Sequence, residues 1–564
     1  MKQFNKPHVS ISKVVFSGGN EFTLSPQDKI IIVGPNNSGK SQSLREISEI
    51  CQNGKLSQAV VISDLEIKKS GSTEDFKKFL QSEAEYINGY YSYKDWHLHE
   101  NMINHWSSSP YLINNLAIGF IKLIAAEERL TICKKQSSIS PGQQKSKPQH
   151  ILYDDEELMK KISTLFYHAF KEDLMFDFRG GSVLPIHVGT IPNKEVLINR
   201  VGDEYVNRVR KNPLLDKQGD GMKSYAGILF EAIVANRDIT LIDEPEAFLH
   251  PPQMRRLGET LSSKVSGQLI VATHSSDILR GFLEGTRGNI RILRICREND
   301  VNKVYEASQE VIRELWRQPV LRYSTALEGI FHEQIIICED DSDCRLFDSI
   351  ADYISALSEK PWKDTSYIPS GGKHNIPKIA AVLLKVGVPV KAVFDMDFLS
   401  DSNLVKSTVE AFGGVWTQLE GLWRRIDCEV RKGIEIKTND EIKNEIIKLL
   451  NDSATNDSLP SKNDISNIMN QNKAWAQVKR YGITAIPRGD AQRYYNELKA
   501  KLNEIGIFIV PVGEVENFNP EVGSHGPKFV TKLLTDYPLD STCLSPLKSF
   551  VTEIHEGIIK SDSV

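Results

Sequence analysis

The sequence predicts an α/β protein of two domains, each built on a parallel sheet, and three observations lead to this prediction. Strand-like and helix-like segments alternate from residue 183 to 293, and again from residue 334 onward. Several of the apolar strands end in glycine-rich or acidic motifs, as is typical of the carboxyl edge of a parallel sheet. Helical patterning interrupts the alternation at residues 60–180 and 400–500. These two stretches are expected to be insertions.

The boundary between the two domains is expected near residue 330, after the connecting segment 308–332. The predicted domains are therefore 1–330 and 331–564. In the first domain, we expect the insertion at 60–180 to be mostly helical, with dimerisation as a candidate role. In the second, the insertion at 400–500 is also expected to be helical.

Composition narrows the possible classes of protein. With 564 residues and 40% apolar content the chain can form several proper cores. The net charge of -5 provides no overall attraction to nucleic acid, so such binding would need a local basic groove. The seven cysteines form no CxxC pair, which argues against zinc ribbons and favours a reducing cytoplasm.

No membrane association is expected from the sequence. The first residues lack the apolar core of a signal peptide. The most apolar stretch, Leu116 to Ala126, contains Lys122 and is too short to span a bilayer. We therefore interpret this stretch as a buried helix.

The first strong motif is GPNNSGKS, which directly follows the apolar strand Lys29 to Val33 and precedes a helix. It fits the phosphate-binding pattern G-x-x-x-x-G-K-[ST], in which backbone amides surround the phosphates and the lysine reaches the β and γ oxygens. Ser41 would in addition hold Mg²⁺. The residues expected to bind the nucleotide, ATP, are Gly34, Asn36, Asn37, Ser38, Gly39, Lys40 and Ser41.

Two further strands complete this predicted site. The strand at 239–243 ends in Asp243 and Glu244, the arrangement expected of a metal ligand followed by a water-activating base. His274 follows the strand Gln268 to Thr273, where an imidazole can contact the γ-phosphate. We predict that Asp243 binds the nucleotide and its metal, and that Glu244 and His274 take part in hydrolysis.

These motifs resemble the ABC-type ATPase heads of the RecF and SMC class. The segment GDGMKS, about twenty residues before Asp243, occupies the place of their signature motif but differs from its usual LSGGQ-like wording. The resemblance implies that Gly221, Lys223 and Ser224 face the ATP of a second protomer, and hence a homodimer or higher homo-oligomer. The alternative interpretation is a loop before a core helix.

The second group of motifs consists of acidic residues at strand ends. Glu339 ends the strand of EQIIICEDDSD, a helix begins near Asp343, and Asp395 and Asp397 end the strand of KAVFDMDF. Alternation along that strand would point both aspartates to one side, where they could share a hard cation with Glu339. Crowded carboxylates repel one another without a cation, so Mg²⁺, or Mn²⁺ in its place, is expected.

A third strand brings Glu514 and Glu516 after Gly513. The order Glu, then DxD, then Gly-x-x-Glu resembles the TOPRIM domain of the OLD (overcoming lysogenization defect) family of nucleases. The resemblance implies that Glu339, Asp343, Asp395, Asp397 and Glu516 hold one or two divalent ions for phosphodiester cleavage of DNA. This chain departs from the family pattern at Asp340, where TOPRIM domains commonly have glycine.

A cation at the scissile phosphate should come from Lys373 in SGGKHN, with Lys528 as the second candidate. The glycines before Lys373 also fit an ordinary turn. The basic cluster Arg424 to Arg431 fits either a DNA backbone or a solvated helix face. We therefore predict Lys373 as the catalytic lysine.

The leading hypothesis from the sequence is an ATP-gated, metal-dependent DNA endonuclease. The family resemblance further implies a role in anti-phage defence, with a partner such as a retron reverse transcriptase and its DNA. The alternative is a non-cleaving clamp of the RecF and SMC kind with a degenerate TOPRIM module, but all five metal-site acids are retained. A transporter would need membrane segments, and a topoisomerase would need a tyrosine nucleophile in a further cleavage domain. A primase of this type would need a zinc module, which the cysteine pattern does not support.

Overall fold

The computed structural model describes residues 5–56, 58–140, 143–191, 199–299, 301–317, 325–432, 439–455 and 474–557, with residues 460, 465, 468 and 469. The chain forms two compact units, Met1–Phe331 and His332–Val564. Both units are α/β, as the sequence predicts. Among the described helices, none has both the length and the apolar character that crossing a membrane requires.

Sixteen strands are described in the first unit. They are β1 Val9–Phe16, β2 Glu21–Thr23, β3 Lys29–Val33, β4 Ile62–Lys69, β5 Glu85–Ile87, β6 Tyr90–Tyr93, β7 Trp96–His99, β8 Ile121–Ile124, β9 Gln136–Ser137, β10 Asp173–Phe176, β11 Val183–Leu184, β12 Ile186–Gly189, β13 Ile239–Asp243, β14 Gln268–Ala272, β15 Arg291–Glu298 and β16 Val301–Glu306.

The described helices of the first unit surround these strands. They are α1 Lys40–Asn53, α2 Thr73–Glu83, α3 His105–Ser108, α4 Asn115–Ile118, α5 Ala126–Ile132, α6 Pro148–Asp154, α7 Glu156–Phe170, α8 Asp203–Val209, α9 Asp220–Leu229, α10 Pro251–Lys264, α11 Ser276–Thr286 and α12 Gln309–Arg317.

The central sheet of the first unit has the strand order β16-β15-β3-β14-β13-β8. Its strands are parallel apart from β16, which pairs antiparallel with β15. Strands β3, β13 and β14 read as nearly continuous apolar runs because both faces of the sheet are covered. Since β3, β14 and β13 are neighbours, their carboxyl ends lie side by side.

The region 60–180 is not mostly helical, contrary to expectation. Besides helices it contains a three-stranded antiparallel sheet of β5, β6 and β7. Asn88 and Gly89, with φ of 51° and 86°, form the turn between β5 and β6. An Asn-Gly pair is the strongest short hairpin signal, but the flanking strands have only three and four residues, too few to show a clear period.

The stretch Leu116 to Ala126 is likewise not one buried helix. It is divided between α4 and β8, which is an edge strand of the central sheet paired in parallel with β13. The short helix is followed by Gly119 and Phe120, and then by β8, which begins and ends with the β-branched Ile121 and Ile124. The apolar run alone could not distinguish a buried helix from a buried strand.

Glu46 of α1 is a buried carboxylate that orders the loop leading into β4. Its oxygens accept hydrogen bonds from the backbone N–H groups of Val60, Val61 and Ile62, at 3.0, 3.0 and 2.7 Å. The side chain is almost fully enclosed, with 1% exposure. Glu46 therefore joins the first helix after β3 to the neighbouring sheet of β1, β2 and β4.

We expect the Glu46→Ala substitution to lower the free energy of unfolding of the first unit by about 3 kcal/mol, because it leaves buried N–H groups without acceptors. Urea denaturation followed by circular dichroism measures this change. Gln52→Ala, on an exposed position of the same helix, is the control and should change stability by less than about 0.5 kcal/mol. Equal stability of the two variants would contradict the role given to Glu46.

The second unit is built on a four-stranded parallel sheet of order β18-β17-β19-β20, with β17 Gln334–Cys338, β18 Thr365–Pro369, β19 Val390–Phe394 and β20 Ile507–Ile509. Its described helices are α13 Asp341–Leu357, α14 Ile376–Lys385, α15 Ser402–Ala411, α16 Trp416–Arg431, α17 Asn439–Thr455, α18 Ala474–Tyr481, α19 Asp490–Glu504, α20 Pro527–Asp536 and α21 Ser545–Glu556. Helices α15 to α19 fill most of the described part of the expected insertion.

Strand β19 is tied to the last described helix by Lys391. The buried ammonium of Lys391 donates to the backbone carbonyls of Ile554, His555 and Gly557, at 2.6, 3.0 and 3.0 Å. A cation at the carboxyl end of a helix satisfies carbonyls that have no partner within the helix. Burial lowers the pKa of Lys391 to about 8. These hydrogen bonds attach the carboxyl end of α21 to β19.

Candidate nucleotide site and carboxylate cluster

The glycine-rich loop lies between β3 and α1, as its motif requires. Gly34 and Gly39 have φ of 142° and 96°, a backbone conformation that favours glycine. Lys40 is buried, and its ammonium donates to the carbonyls of Gly34 and Pro35 at 2.8 and 2.7 Å. Burial lowers the pKa of Lys40 to about 8. The lysine is therefore held inside its own loop, where phosphate oxygens could replace the two carbonyls.

The other residues of this loop differ in their exposure to solvent. Asn36 and Asn37 are exposed at its tip, while Ser38 is buried. The hydroxyl oxygen of Ser38 has no hydrogen-bond partner within the described part of the chain. The carbonyl of Ser38 accepts a hydrogen bond from the side-chain amide of Asn302, at 2.7 Å. Because buried hydroxyl groups are rarely left unsatisfied, the loop fits a bound phosphate.

Asp243 and Glu244 lie at the end of β13, beside the glycine-rich loop. The Asp243 side chain is hydrogen-bonded by Ser41, and burial raises its pKa. Its Oδ1 atom has no hydrogen-bond partner among the described residues. Glu244 has a positive φ of 46°, and its carbonyl accepts from Arg129 at 2.8 Å. The structure thus brings Ser41 and Asp243 together and orients the following glutamate by its backbone.

His274 follows β14 and lies within reach of the charge on Lys40. Burial and the nearby Lys40 lower the pKa of His274 to about 4. The imidazole is therefore neutral at neutral pH. Glu246, which we did not predict, accepts hydrogen bonds from the Thr273 hydroxyl at 2.7 Å and from the backbone N–H of His274 at 2.6 Å. This partly buried glutamate holds the backbone at His274 in place.

Helix α9 corrects one expectation for the signature-like segment. Ser224 is fully buried, and its hydroxyl donates to the Ala247 carbonyl at 3.2 Å. Ser224 therefore packs inside its own unit and cannot face a second protomer, because the buried face of the amphipathic helix includes it. Gly221 stays partly exposed, next to the carbonyl of Phe248, and the Lys223 ammonium pairs with Asp220 at 2.7 Å.

In the second unit, Glu339, Asp395 and Asp397 form one cluster. Each offers a carboxylate oxygen within 4.8 Å of the others. The Oε1 atom of Glu339 and the Oδ1 atom of Asp397 are buried without a hydrogen-bond partner among the described residues. Burial raises the pKa of Glu339 and raises that of Asp395 well above its ordinary value. Acceptor oxygens that lack donors are suited to a divalent cation.

Asp395 and Asp397 do not lie on the strand itself, contrary to expectation. Strand β19 ends at Phe394, and Asp395 precedes the 3₁₀ turn Met396–Ser400. The N–H of Met396 donates to the carbonyl of Gly513 at 2.8 Å, which continues the pairing beyond the last strand residues. A turn, and not strand alternation, therefore places Asp395 and Asp397 near Glu339.

Asp343 and Glu516 lie close to this cluster but outside it. Asp343, in the first turn of α13, has its pKa raised to about 7, chiefly by burial and also by the charges of Glu339 and Glu516. Glu516 groups with Glu514 and His525, again with ligand atoms within 4.8 Å of one another. The predicted five acids therefore divide into three that share one position and two beside them.

The departure at Asp340 has a structural explanation. Asp340 caps the N-terminus of α13 and takes part in a capping box with Asp343. Its φ of -127° is extended and does not require glycine. The backbone N–H of Asp340 donates to the Asp343 carboxylate at 3.3 Å. The turn after Glu339 therefore forms without the glycine common in TOPRIM domains.

Two lysines contact the cluster. The Lys373 ammonium lies 2.8 Å from Asp397 Oδ2, and the N–H of Gly372 donates to the carbonyl of Glu339 at 3.0 Å. The second, Lys479 of α18, was not predicted, and its ammonium lies 3.2 Å from Asp395 Oδ2. Lys528, the other sequence candidate, is exposed at the start of α20. Lys373 is thus the better placed of the two candidates.

The basic cluster on α16 is largely paired within its own helix. Arg424 lies 2.7 Å from Glu420 and Arg431 lies 2.8 Å from Asp427, both at a spacing of four residues. Arg425 instead lies over the Tyr494 ring, 5.0 Å from its centre. Pairs of this kind support the solvated-face interpretation for Arg424 and Arg431.

Comparison with known protein families finds one match in each unit. Residues 187–280 match the family model described as "AAA domain, putative AbiEii toxin, Type IV TA system", and this segment includes Asp243, Glu244 and His274. Residues 330–397 match the model described as "Overcoming lysogenization defect protein-like, TOPRIM domain", and include Glu339, Asp395 and Asp397. No match is found among curated proteins.

Solved structures similar to this chain include heads of SMC proteins. A head bound to the C-terminal winged-helix domain of ScpA is 14% identical, with a TM-score of 0.34, and the match covers 53% of this chain and 98% of that one. The head domain from Thermotoga maritima is 11% identical, with a TM-score of 0.27, and the match covers 53% and 99%.

The fold and the two family matches define the class of this protein: it is a fusion of an ATPase domain and a TOPRIM domain. Within that class, the second domain is similar to the TOPRIM domains of overcoming lysogenization defect-like proteins. The carboxylate cluster is a possible metal site of this TOPRIM domain.

Proposed function

We propose that this protein is an ATP-binding and ATP-hydrolysing DNA endonuclease that depends on a divalent cation, Mg²⁺ or Mn²⁺. The observation that carries this proposal is the convergence of Glu339, Asp395 and Asp397 at the carboxyl edge of the second sheet. Two of their buried oxygens have no donor among the described residues, and lysines contact the aspartates. Such a site combines metal ligands with cations for a phosphate group.

The residues present fit a divalent ion of the TOPRIM type. Glu339, Asp395 and Asp397 would hold one ion, and Asp343 with Glu516 would hold or support a second. When bound, the metal supplies an activated water and stabilises the leaving oxygen of the phosphodiester. Lys373 would then bind a nonbridging oxygen of the scissile phosphate, because its ammonium already lies at the cluster and Gly371 and Gly372 leave room for a close approach.

In the first unit, Lys40 and the backbone of residues 34–41 would hold the phosphates of ATP. Ser41 and Asp243 would hold the magnesium ion of the nucleotide, since their side chains are already in contact. Glu244 would activate water, and His274 would contact the γ-phosphate. Gly221 stays partly exposed and could contact the nucleotide of a second protomer, so we also propose a homodimer or higher oligomer.

A second part of the proposal concerns the biological role of the protein. We further propose that the protein is an effector of anti-phage defence that acts on DNA with a defence partner such as a reverse transcriptase and its DNA. The likeness of residues 330–397 to OLD-like TOPRIM domains motivates this proposal.

The test is the cleavage of supercoiled plasmid by the purified full chain with Mg²⁺ or Mn²⁺, with and without ATP. We expect nicked or linear products from the parent and none from the Asp395→Ala, Asp397→Ala double variant. The comparison with and without ATP gives the direction of the coupling. ATP hydrolysis without cleavage under every condition would favour the non-cleaving clamp and would contradict the nuclease proposal.

A further inference from the structure

The ammonium group of Lys479 lies among the carboxylates of the cluster. It is 3.2 Å from Asp395 Oδ2, 3.5 Å from Asp397 Oδ2 and 4.0 Å from Glu514 Oε2. Its side chain is only 35% exposed. Lys479 therefore contacts acids that follow two different strands, whereas Lys373 pairs with Asp397.

The main chain at Lys479 is fixed independently of these ion pairs. The side-chain amide of Asn517 donates to the carbonyls of Lys479 and Arg480, at 3.3 and 3.0 Å. Gly513 has a φ of 102°, and a Cβ atom there would collide with the Lys479 carbonyl. The close packing of residues 513–517 against the end of α18 thus places Lys479 at the cluster.

Side chains of α18 add to this support. Trp475 and Val478 are buried, and the indole N–H of Trp475 donates to Asp427 at 2.8 Å. A helix held by buried side chains and by two backbone hydrogen bonds keeps its position when one ion pair is lost. A neutral side chain of similar length at 479 should therefore leave the carboxylates in place.

Lys479 contacts the same carboxylates that a divalent ion would need. An ammonium near these oxygens offsets part of their mutual repulsion, and it repels a second cation that approaches them. We propose that Lys479 competes with the divalent cation for Asp395 and Asp397, and so sets the affinity of the cluster for metal. This inference rests on the metal site of the proposed function.

The test is a calorimetric titration of the full chain with Mn²⁺, without DNA or nucleotide. We expect Lys479→Met to bind Mn²⁺ at least about tenfold more tightly than the parent, since the competing charge is removed. Lys479→Arg keeps the charge and should stay within about twofold of the parent. Lys360→Met, at an exposed position of the same unit, is the matched control for loss of a charge. The Asp395→Ala, Asp397→Ala variant is titrated in the same way, and the Mn²⁺ binding that it loses relative to the parent is the binding at this cluster.

Unchanged or weaker Mn²⁺ binding by Lys479→Met would overturn the inference. Should that variant fail to fold, as judged by circular dichroism, Lys479→Gln enters the same titration with the same expected result. The two proposals can fail separately. Tighter Mn²⁺ binding without any DNA cleavage contradicts only the nuclease, whereas cleavage with unchanged Mn²⁺ affinity contradicts only the competition by Lys479.

Discussion

The Glu339→Gln variant should cleave DNA about 1,000-fold more slowly than the parent, which corresponds to about 4 kcal/mol of lost transition-state stabilisation. Glu339 is the one member of the three-carboxylate cluster that follows β17, and its Oε1 atom is buried without a donor. Glutamine keeps the shape but removes the negative charge and presents an amide to the metal position. Initial rates of plasmid nicking at saturating Mg²⁺ measure the effect.

Asp341→Asn is the matched control for this substitution. Asp341 lies two residues after Glu339, at the exposed start of α13, where it pairs with Arg345 at 2.6 Å. This surface pair contributes little to stability, so cleavage should stay within about twofold of the parent. ATP hydrolysis should be retained by both variants. A Glu339→Gln protein that cleaves at the parental rate would remove Glu339 from the metal site.

For the first unit, we expect Lys40→Ala to weaken ATP binding at least about 100-fold, or by about 2.7 kcal/mol. The ammonium of Lys40 is already desolvated and directed at two carbonyls of its loop, so phosphate oxygens can replace these acceptors with little rearrangement. Alanine removes the one buried cation of the glycine-rich loop. Titration with a fluorescent ATP analogue measures the dissociation constant.

Lys55→Ala provides the comparison for Lys40→Ala. Lys55 follows α1 at an exposed position, so its loss removes the same formal charge without touching the loop. We expect the affinity of Lys55→Ala for ATP to stay within about twofold of the parent. Lys55 follows the opposite end of α1 from Lys40, and an exposed charge there is largely screened. If Lys40→Ala binds ATP as tightly as Lys55→Ala, the motif at 34–41 does not hold the phosphates.

The α/β class could be predicted because the strands that matter most are continuous apolar runs ending in glycine or acid. Strands β3, β13 and β17 are of this kind, and their ends carry Gly34, Asp243 and Glu339. Such runs indicate burial on both faces, and burial on both faces indicates a covered parallel sheet. The positions of the motif residues then follow from the geometry of the sheet.

Residues positioned only by tertiary packing could not be predicted in this way. Lys479 lies in a short helix after a polar insertion, and the contacts of Gly513 and Asn517 bring it to the carboxylates. Glu246 is one of several acids after β13, and a sequence pattern does not record its hydrogen bonds to residues 273 and 274. Ser224 was misjudged because a motif does not record which face of a helix is buried.

The attachment of β19 to the last described helix determines when the carboxylate cluster can form during synthesis of the chain. Until residues 545–557 leave the ribosome, the Lys391 ammonium lacks the three carbonyls that accept its hydrogen bonds. An enclosed cation without partners is costly, so β19 should not settle into the sheet before then. Asp395 directly follows this strand. A growing chain would therefore fold its first unit before the carboxylate cluster of the second, which stays incomplete until residues 545–557 have left the ribosome.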